Sequence, residues 1–439
     1  MRKQFHCTRK IKIMRSALAA VIFCSLLPVR LPAAEVTVPH GDQDAFSAPF
    51  TLSQLLKVVL EKNQDIREAR LKWQAAKKKP LQALSLPDPM IGFDVMGGMT
   101  ETAVGPEENR MMVSQKIPFP AKIWKKWQIA HEQGKAARAN YEAVQRDRLR
   151  DARKTYYALY QADASLEVIQ NIHDLLQKME GVARSRYAGG SGNQRDAAKA
   201  QAEMSLTLGR VFTLEQKRGA LHARLNALLD RDPLLDFGRA EKPEKPTLDE
   251  TLPVLLTEAA RQRQELLTQE AVIRKKKHKK TLRWLDNVPD LDAGFKYTWV
   301  GRGTTNMPND GQDSWMFPLA INIPLWQERN ISAIQEASRE LEASRAKLSG
   351  MRDQTFYEVR AAYLRCQTAL KIVSLYDTGI LPQSELALNS DKAGYEAGRA
   401  DFFALLDSER VYLNAKLGYV AIYTELLKSR ADLDRAVGR

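Results

Sequence analysis

Cysteine is nearly absent from this chain of 439 residues. Cys7 and Cys24 fall in the opening stretch, which leaves Cys366 alone in the body and excludes an intramolecular disulfide framework. Long hydrophobic runs are also missing. After the leader no window has eighteen uninterrupted apolar residues, the length a membrane-spanning helix needs. Histidine is sparse, and His40, His131, His173, His222 and His278 show no metal-ligand spacing. His173 falls in a helical stripe with Leu166, Ile169 and Leu176 and reads as a seam residue. G-x-S-x-G, H-E-x-x-H and C-x-x-C do not occur, and Gly189 to Gly192 lacks the Lys-Ser/Thr of a phosphate loop. No catalytic constellation, cofactor or resident metal is expected.

Acid is absent from residues 1–34, where Arg2, Lys3, Arg9, Lys10, Lys12, Arg15 and Arg30 supply seven of the +14 formal charges. A basic start, an apolar run from Ala17 to Leu27 and the small residues Ala33 and Ala34 before Glu35 have the layout of a secretory signal peptide. Met14 is an alternative start. Cys24 lies inside the apolar run behind the bulky Phe23, which argues against lipidation. An extension, residues 35–50, follows.

The most ordered pattern runs from Pro289 to Trp326. Leu291, Ala293, Phe295, Tyr297 and Trp299 alternate with Asp292, Lys296 and Thr298, and after a polar loop the chain returns through Trp315, Phe317, Leu319, Ile321 and Ile323. These spacings predict strands at about 290–300 and 314–323. A tilted membrane strand needs about 9 to 11 residues, and aromatic residues near the ends of an apolar stripe suit the two lipid interfaces.

The rest of the chain repeats this plan. Thr51 to Lys79 is amphipathic and is expected to end at Pro80, Pro87 and Pro89. Strands at about 90–97, which holds Phe93, and 110–117 flank a polar, Gly-rich loop reaching Asn109. From Ala121 to Arg186 nothing breaks a helix except isolated glycines. The turn Tyr187 to Gly192 sends the chain back to about Asp230, and a connector, residues 231–246, leads into a second copy over 247–439. Pro289-Asp290 echoes Pro87-Asp88, Ile323-Pro324 echoes Ile117-Pro118, and Tyr395 echoes Tyr187, at an offset of about 202 to 208 residues. Pro382 interrupts only the second long helix. Phe356, Val359, Tyr363, Cys366, Leu370 and Val373, and likewise Leu405, Ser408, Tyr412, Ala415, Tyr419, Ile422 and Leu426, carry coiled-coil spacing. The class is α+β, mainly α.

Four strands cannot close a barrel, and open edges cannot face lipid, where each unsatisfied backbone group costs several kcal/mol. Closed barrels begin at about eight strands. Two chains would supply eight and three would supply twelve, and periodicity does not choose between them. A secreted coiled-coil tether whose hairpins pack on themselves is the soluble alternative.

Leu86-Pro87-Asp88-Pro89 before the first strand, Ser114-Gln115-Lys116-Ile117-Pro118-Phe119-Pro120 closing the second, and Tyr395-Glu396-Ala397-Gly398-Arg399-Ala400 followed by Leu405-Leu406-Asp407 resemble the outer membrane efflux channels of the TolC type. The similarity spans essentially the whole mature chain, and the Ile-Pro-Phe-Pro sequence leans towards the heavy-metal exporting branch. The resemblance implies a homotrimer with a twelve-stranded outer-membrane barrel continued by a periplasmic helical coiled-coil barrel. It also implies a periplasmic adaptor and an inner-membrane transporter, of the RND class for that branch, with no nucleic acid and no enzymatic activity. A protein-secretion duct is an alternative within the family.

By the same resemblance Tyr187, Gly189 and Gly190 and, in the second copy, Tyr395, Gly398 and Arg399 lie at the periplasmic tips, where the tunnel narrows and the adaptor docks. Asp407 matches the second member of an acidic pair at the constriction, the first falling on Ala404. Asp196 matches an acidic position after the first turn, Tyr395 a tyrosine that holds the tips closed, and Arg399 stands next to the position of its basic partner. Two further clusters invite readings of their own. Met90, Met96, Met99, Met111 and Met112 are read as adaptable packing rather than a Cu(I) site. Arg274 to Lys280 is read as a solvated basic face near anionic headgroups.

Overall fold

The computed structural model describes residues 46, 48–190, 192–303 and 308–439. The expected signal peptide, Met14, Cys7, Cys24, His40, most of the extension, Ser191 and the centre of the second polar loop lie outside the described residues. Gly41–Arg439 form one compact unit.

The first copy opens with α1 (Leu52–Lys62) and α2 (Gln64–Leu84). Thr51 starts α1 with a reciprocal capping box, its hydroxyl accepting from the Gln54 amide while the Gln54 side chain accepts from its own. Asn63 then breaks the helix, contrary to the single helix expected. Its side chain caps α2 at Ile66 and donates to the Leu228 carbonyl at 2.9 Å. Pro80 does not end α2, which runs on to Leu84. A proline there forfeits the bond to the Ala76 carbonyl, a loss that burial of Ile66, Ala69 and Ala76 on the packed face of the helix offsets.

β1 (Met90–Thr102) and β2 (Gly105–Ile117) form an antiparallel hairpin. Both strands outrun the expected spans, so the anticipated loop reaching Asn109 is a short turn at Ala103 and Val104. α3 (Pro120–Ala188) then runs unbroken for 69 residues, a rod of about 100 Å at 1.5 Å per residue. Its proline start is the position a helix tolerates best. α4 (Gln194–Leu229) returns antiparallel to it.

The second copy begins with α5 (Leu252–Gln262) and α6 (Gln264–Leu285), broken at Arg263 as the first copy is at Asn63. β3 (Leu291–Val300) pairs with β2 on one side, and with β4 (Ser314–Met316) and β5 (Leu319–Ile321) on the other. The returning strand was expected whole. Pro318 splits it, having no amide to give the ladder, although its carbonyl still accepts from Gly294 at 2.9 Å. α7 (Gln327–Leu375) continues through a π-helical turn, Tyr376–Ile380, into α8 (Leu381–Glu396). Pro382 therefore does not interrupt the second long helix as expected: the extra residue per turn absorbs the missing bond. α9 (Phe402–Val437) closes the chain.

Two main apolar clusters hold the rods together. At mid-length, Phe46, Phe50, Leu55, Tyr156, Leu159, Leu225, Phe237, Cys366, Val373, Tyr423 and Leu426 pack into one body. Tyr156 anchors the connector there, its hydroxyl donating to the carbonyls of Phe50 and Glu241 at 2.9 and 3.0 Å. Towards the tips the seam holds Ile169, Ile172, Leu176, Tyr395, Phe402, Leu405 and Leu413. Ile172 fills the place expected of His173, which is only partly buried. Val359, Cys366 and Val373 are buried at heptad spacing as expected, whereas Phe356 is exposed.

The basic run Arg274 to Lys280 is only in part the solvated face expected: Arg274 and Lys277 are exposed, yet most of the run is engaged by neighbouring helices. Lys276 and Lys279 both grip Glu340 of α7, at 2.7 and 2.8 Å, while Arg274 grips Glu132 of α3 at 2.7 Å. Lys275 donates to Gln133 and Lys280 to Ser338. The cluster staples α6 to its neighbours. Its two lysine hydrogen bonds hold the Glu340 carboxyl down at about 2, against an ordinary 4.5. A depressed acid contributes stability that is complete above the unfolded value and is lost as pH falls through the folded one. Thermal unfolding of Glu340→Gln should therefore lie below that of the parent at neutral pH. The two should converge between about pH 4.5 and pH 2, the neutral-pH gap being about 0.2 to 1 kcal/mol per pair at this half-exposed site.

Candidate functional site: membrane wall and helical tips

The sheet presents one apolar face. The register sets Phe93 opposite Met111, Met111 opposite Tyr297, and Tyr297 opposite Trp315, and directly opposed residues share a face. Phe295 stands on the same face opposite Val113, its ring 5.2 Å from Phe317. Phe93 lies 5.9 Å from Trp299, and Trp315 lies 5.5 Å from Phe317. All six aromatic residues expected in the wall thus form one connected surface, and Phe93, Trp315 and Phe317 are more than half exposed. Arg110, Lys116, Asp292, Lys296 and Thr298 take the other face. Met90 and Met112 are exposed and, by the register, share the face of Asp94, Lys116 and Lys296 rather than the aromatic one. Among the described residues, β1 at one edge and β4 with β5 at the other have no further strand beside them.

At the opposite end of the rods lie two turns of like geometry. Gly190 and Gly398 adopt φ of +72° and +73°, left-handed values that a side chain would strain. Each allows a long helix to reverse within a few residues. Tyr187 and Tyr395, equivalent in sequence, are not equivalent in space. Tyr187 is half exposed, while Tyr395 is 4% exposed and packs on Phe402 with ring centroids 5.3 Å apart.

The residue that joins the turns belongs to no motif in the sequence. Arg186, in the last turn of α3, donates from Nη1 to the Tyr395 carbonyl at 2.9 Å and lays its guanidinium over the Tyr395 ring at 4.9 Å. A basic residue at a helix C-terminus was the available signal. Burial, reinforced by the nearby Asp196 charge, pushes the Tyr395 phenol up, and Arg186 offsets part of the rise. The structure therefore brings Tyr395, Asp196 and Arg186 together. It leaves the Arg399 and Asp407 side chains exposed, so the basic partner of Tyr395 comes from α3 rather than from Arg399.

Further contacts tie the α4 and α9 starts. Phe403 has Lys199 Nζ 3.1 Å and Arg195 4.9 Å from its ring, and Arg410 grips Glu203 at 2.7 Å. Among the described residues no cluster of metal-ligating side chains occurs, and no helix is long and apolar enough to cross a membrane.

A wall of strands with one lipid-ready face, carried on helical rods of this length, matches the family model described as outer membrane efflux protein over residues 55–230 and 255–439. The chain belongs to the outer membrane efflux protein family. Among its relatives, the cobalt-zinc-cadmium resistance protein CzcC of Cupriavidus metallidurans is 20% identical over 412 residues, which is 92% of this chain and 93% of that protein. The solved structure of CusC superposes with a TM-score of 0.76 at 16% identity, covering 94% of this chain and all of that one. The CmeC outer membrane channel of Campylobacter jejuni gives 0.73 at 14% identity, covering 88% of this chain and 85% of that one. At such identities the superpositions establish the fold.

This efflux protein is thus an outer-membrane channel component with a helical extension into the periplasm, and its family is one of channels rather than enzymes. The soluble-tether alternative falls. Members of the family are trimeric channels that work with an adaptor and an inner-membrane pump.

Proposed function

We propose that this chain, as a homotrimer, forms the passive exit duct of a tripartite system exporting divalent metal cations. The observation that requires further copies is the sheet with two open edges and one aromatic face, and the number three is supported by the trimeric channels of the family. Edges facing lipid cost several kcal/mol per unsatisfied group, and three copies close them at twelve strands. The metal cargo is supported by the likeness to CzcC along nearly the whole chain. The cation is substrate, passing along the lumen to the exterior. The adaptor engages the tip turns around Gly189, Gly190, Gly398 and Arg399, and an inner-membrane transporter of the RND class supplies the energy.

We read residues 1–34 as a leader removed on export, 35–50 as an extension, and 51–230 and 247–439 as the two structural repeats joined by the connector 231–246. The gate is the contact of Tyr395 with Arg186, with the Asp196 charge nearby, and opening moves α8 and α9 away from the end of α3.

A strain lacking this chain should become several-fold more sensitive to cobalt, zinc or cadmium, with resistance restored by the intact gene. Unaltered tolerance of all three ions alongside lost tolerance of organic drugs would overturn the cargo assignment and leave the duct in place.

A further inference from the structure

About two turns inward from the second tip, α9 carries Glu409 among Leu405, Leu406 and Leu413 of the tip cluster. Glu409 has no exposed surface, and neither of its carboxylate oxygens has a hydrogen-bond partner. To the same cluster α3 turns Ile172 and Leu176, and α8 turns Leu388. The charged groups acting on Glu409 are Glu203 and Arg210 of α4 and Arg410 of its own helix. Arg410 is already engaged, holding Glu203 at 2.7 and 3.3 Å. An ionised carboxylate so enclosed is strongly disfavoured. Burial first, and then the Glu203 charge, push the Glu409 carboxyl up to about 7, with Arg410 and Arg210 offsetting part of the rise.

We propose that Glu409 is a proton-held latch: protonated, it lets α9 pack into the tip seam, and ionised, it loosens that seam and favours the open duct. The link to opening rests on the reading of the tips as the gate. In the packed seam the acid binds its proton more tightly than when hydrated, where its ordinary value is 4.5. The contribution to closure is therefore complete below pH 4.5, falls as pH rises from 4.5 to about 7, and is gone above that. Within this window the open-to-closed ratio should rise by up to about tenfold per pH unit and protomer.

The test compares the parent, Glu409→Gln, Glu409→Met and Glu203→Gln as reconstituted trimers. Planar-bilayer current and deuterium exchange over residues 402–413, corrected for intrinsic rates, are both followed from pH 4.5 to pH 8. The parent should gain current and exchange up to about pH 7 and then level off. Glu409→Gln and the apolar Glu409→Met should stay at the acid level throughout. Glu203→Gln should level off at lower pH, because one repelling charge is gone. A parent whose exchange does not change with pH, or neutral variants that keep its rise, would overturn the latch. Exchange that responds to Glu409 without any change in current would sustain the latch and overturn the tip as the gate.

Discussion

Replacing Arg186 with alanine should raise the conductance of the reconstituted channel at least tenfold while leaving a detergent-stable trimer. Arg186 joins the end of α3 to the second tip by a charged hydrogen bond and by its stack on Tyr395. A hydrogen bond from a charged group contributes about 1.5 to 3 kcal/mol, and a partly exposed cation–π contact adds about 0.5 to 1 kcal/mol. A change of about 1.4 kcal/mol is tenfold in an equilibrium, so even the lower sum moves one protomer's closure beyond that, and three protomers act on one aperture. Arg186→Lys should fall between, because an ammonium lacks the flat guanidinium that stacks and donates at once. Tyr187→Ala, at the exposed tyrosine of the first turn, should leave the closed conductance unchanged. Planar-bilayer recordings at fixed salt and pH decide the matter. An Arg186→Ala channel as tightly closed as the parent would show that the lock lies elsewhere.

Phe295→Arg should largely abolish assembly into the outer membrane, whereas Lys296→Arg, one residue along the same strand, should assemble normally. Phe295 stands mid-strand on the aromatic face, with Val113 opposite and Phe317 beside it. Lys296 points to the other face, opposite Met112. An arginine on the lipid side of a barrel near mid-depth costs about 2 to 4 kcal/mol, and a trimer carries three. Heat-modifiable trimer in outer-membrane fractions is the measurement. Equal yields of the two variants would mean that the sheet does not face lipid as its register indicates.

These two predictions draw on different levels of the molecule. The strand faces follow from a period of two, so the sequence pattern already groups the aromatic residues of each strand on one face. The duplication was equally plain, because echoed prolines and glycines recur at a nearly constant offset. Helix breaks were read less well. Asn63 and Arg263 end helices where neither glycine nor proline stands, while Pro80 and Pro382 leave helices running. Propensity ranks a residue's local preference, whereas caps to distant carbonyls and a π-helical turn are settled by neighbours.

The class of this protein is written in its residue pattern: alternation makes the strands, heptad spacing makes the rods, and four strands with open edges require further copies. How the tips are held and what the basic run does follow from the packed fold alone. Arg186 and Tyr395 are 209 residues apart, and no periodicity links them. Nor does any local pattern say that Lys276 and Lys279 turn inward to Glu340, or that Glu409 lies on a buried seam without a partner. The physical reason is that charge pairing and desolvation depend on which helices lie side by side, and that is fixed by packing over the whole length of the rods.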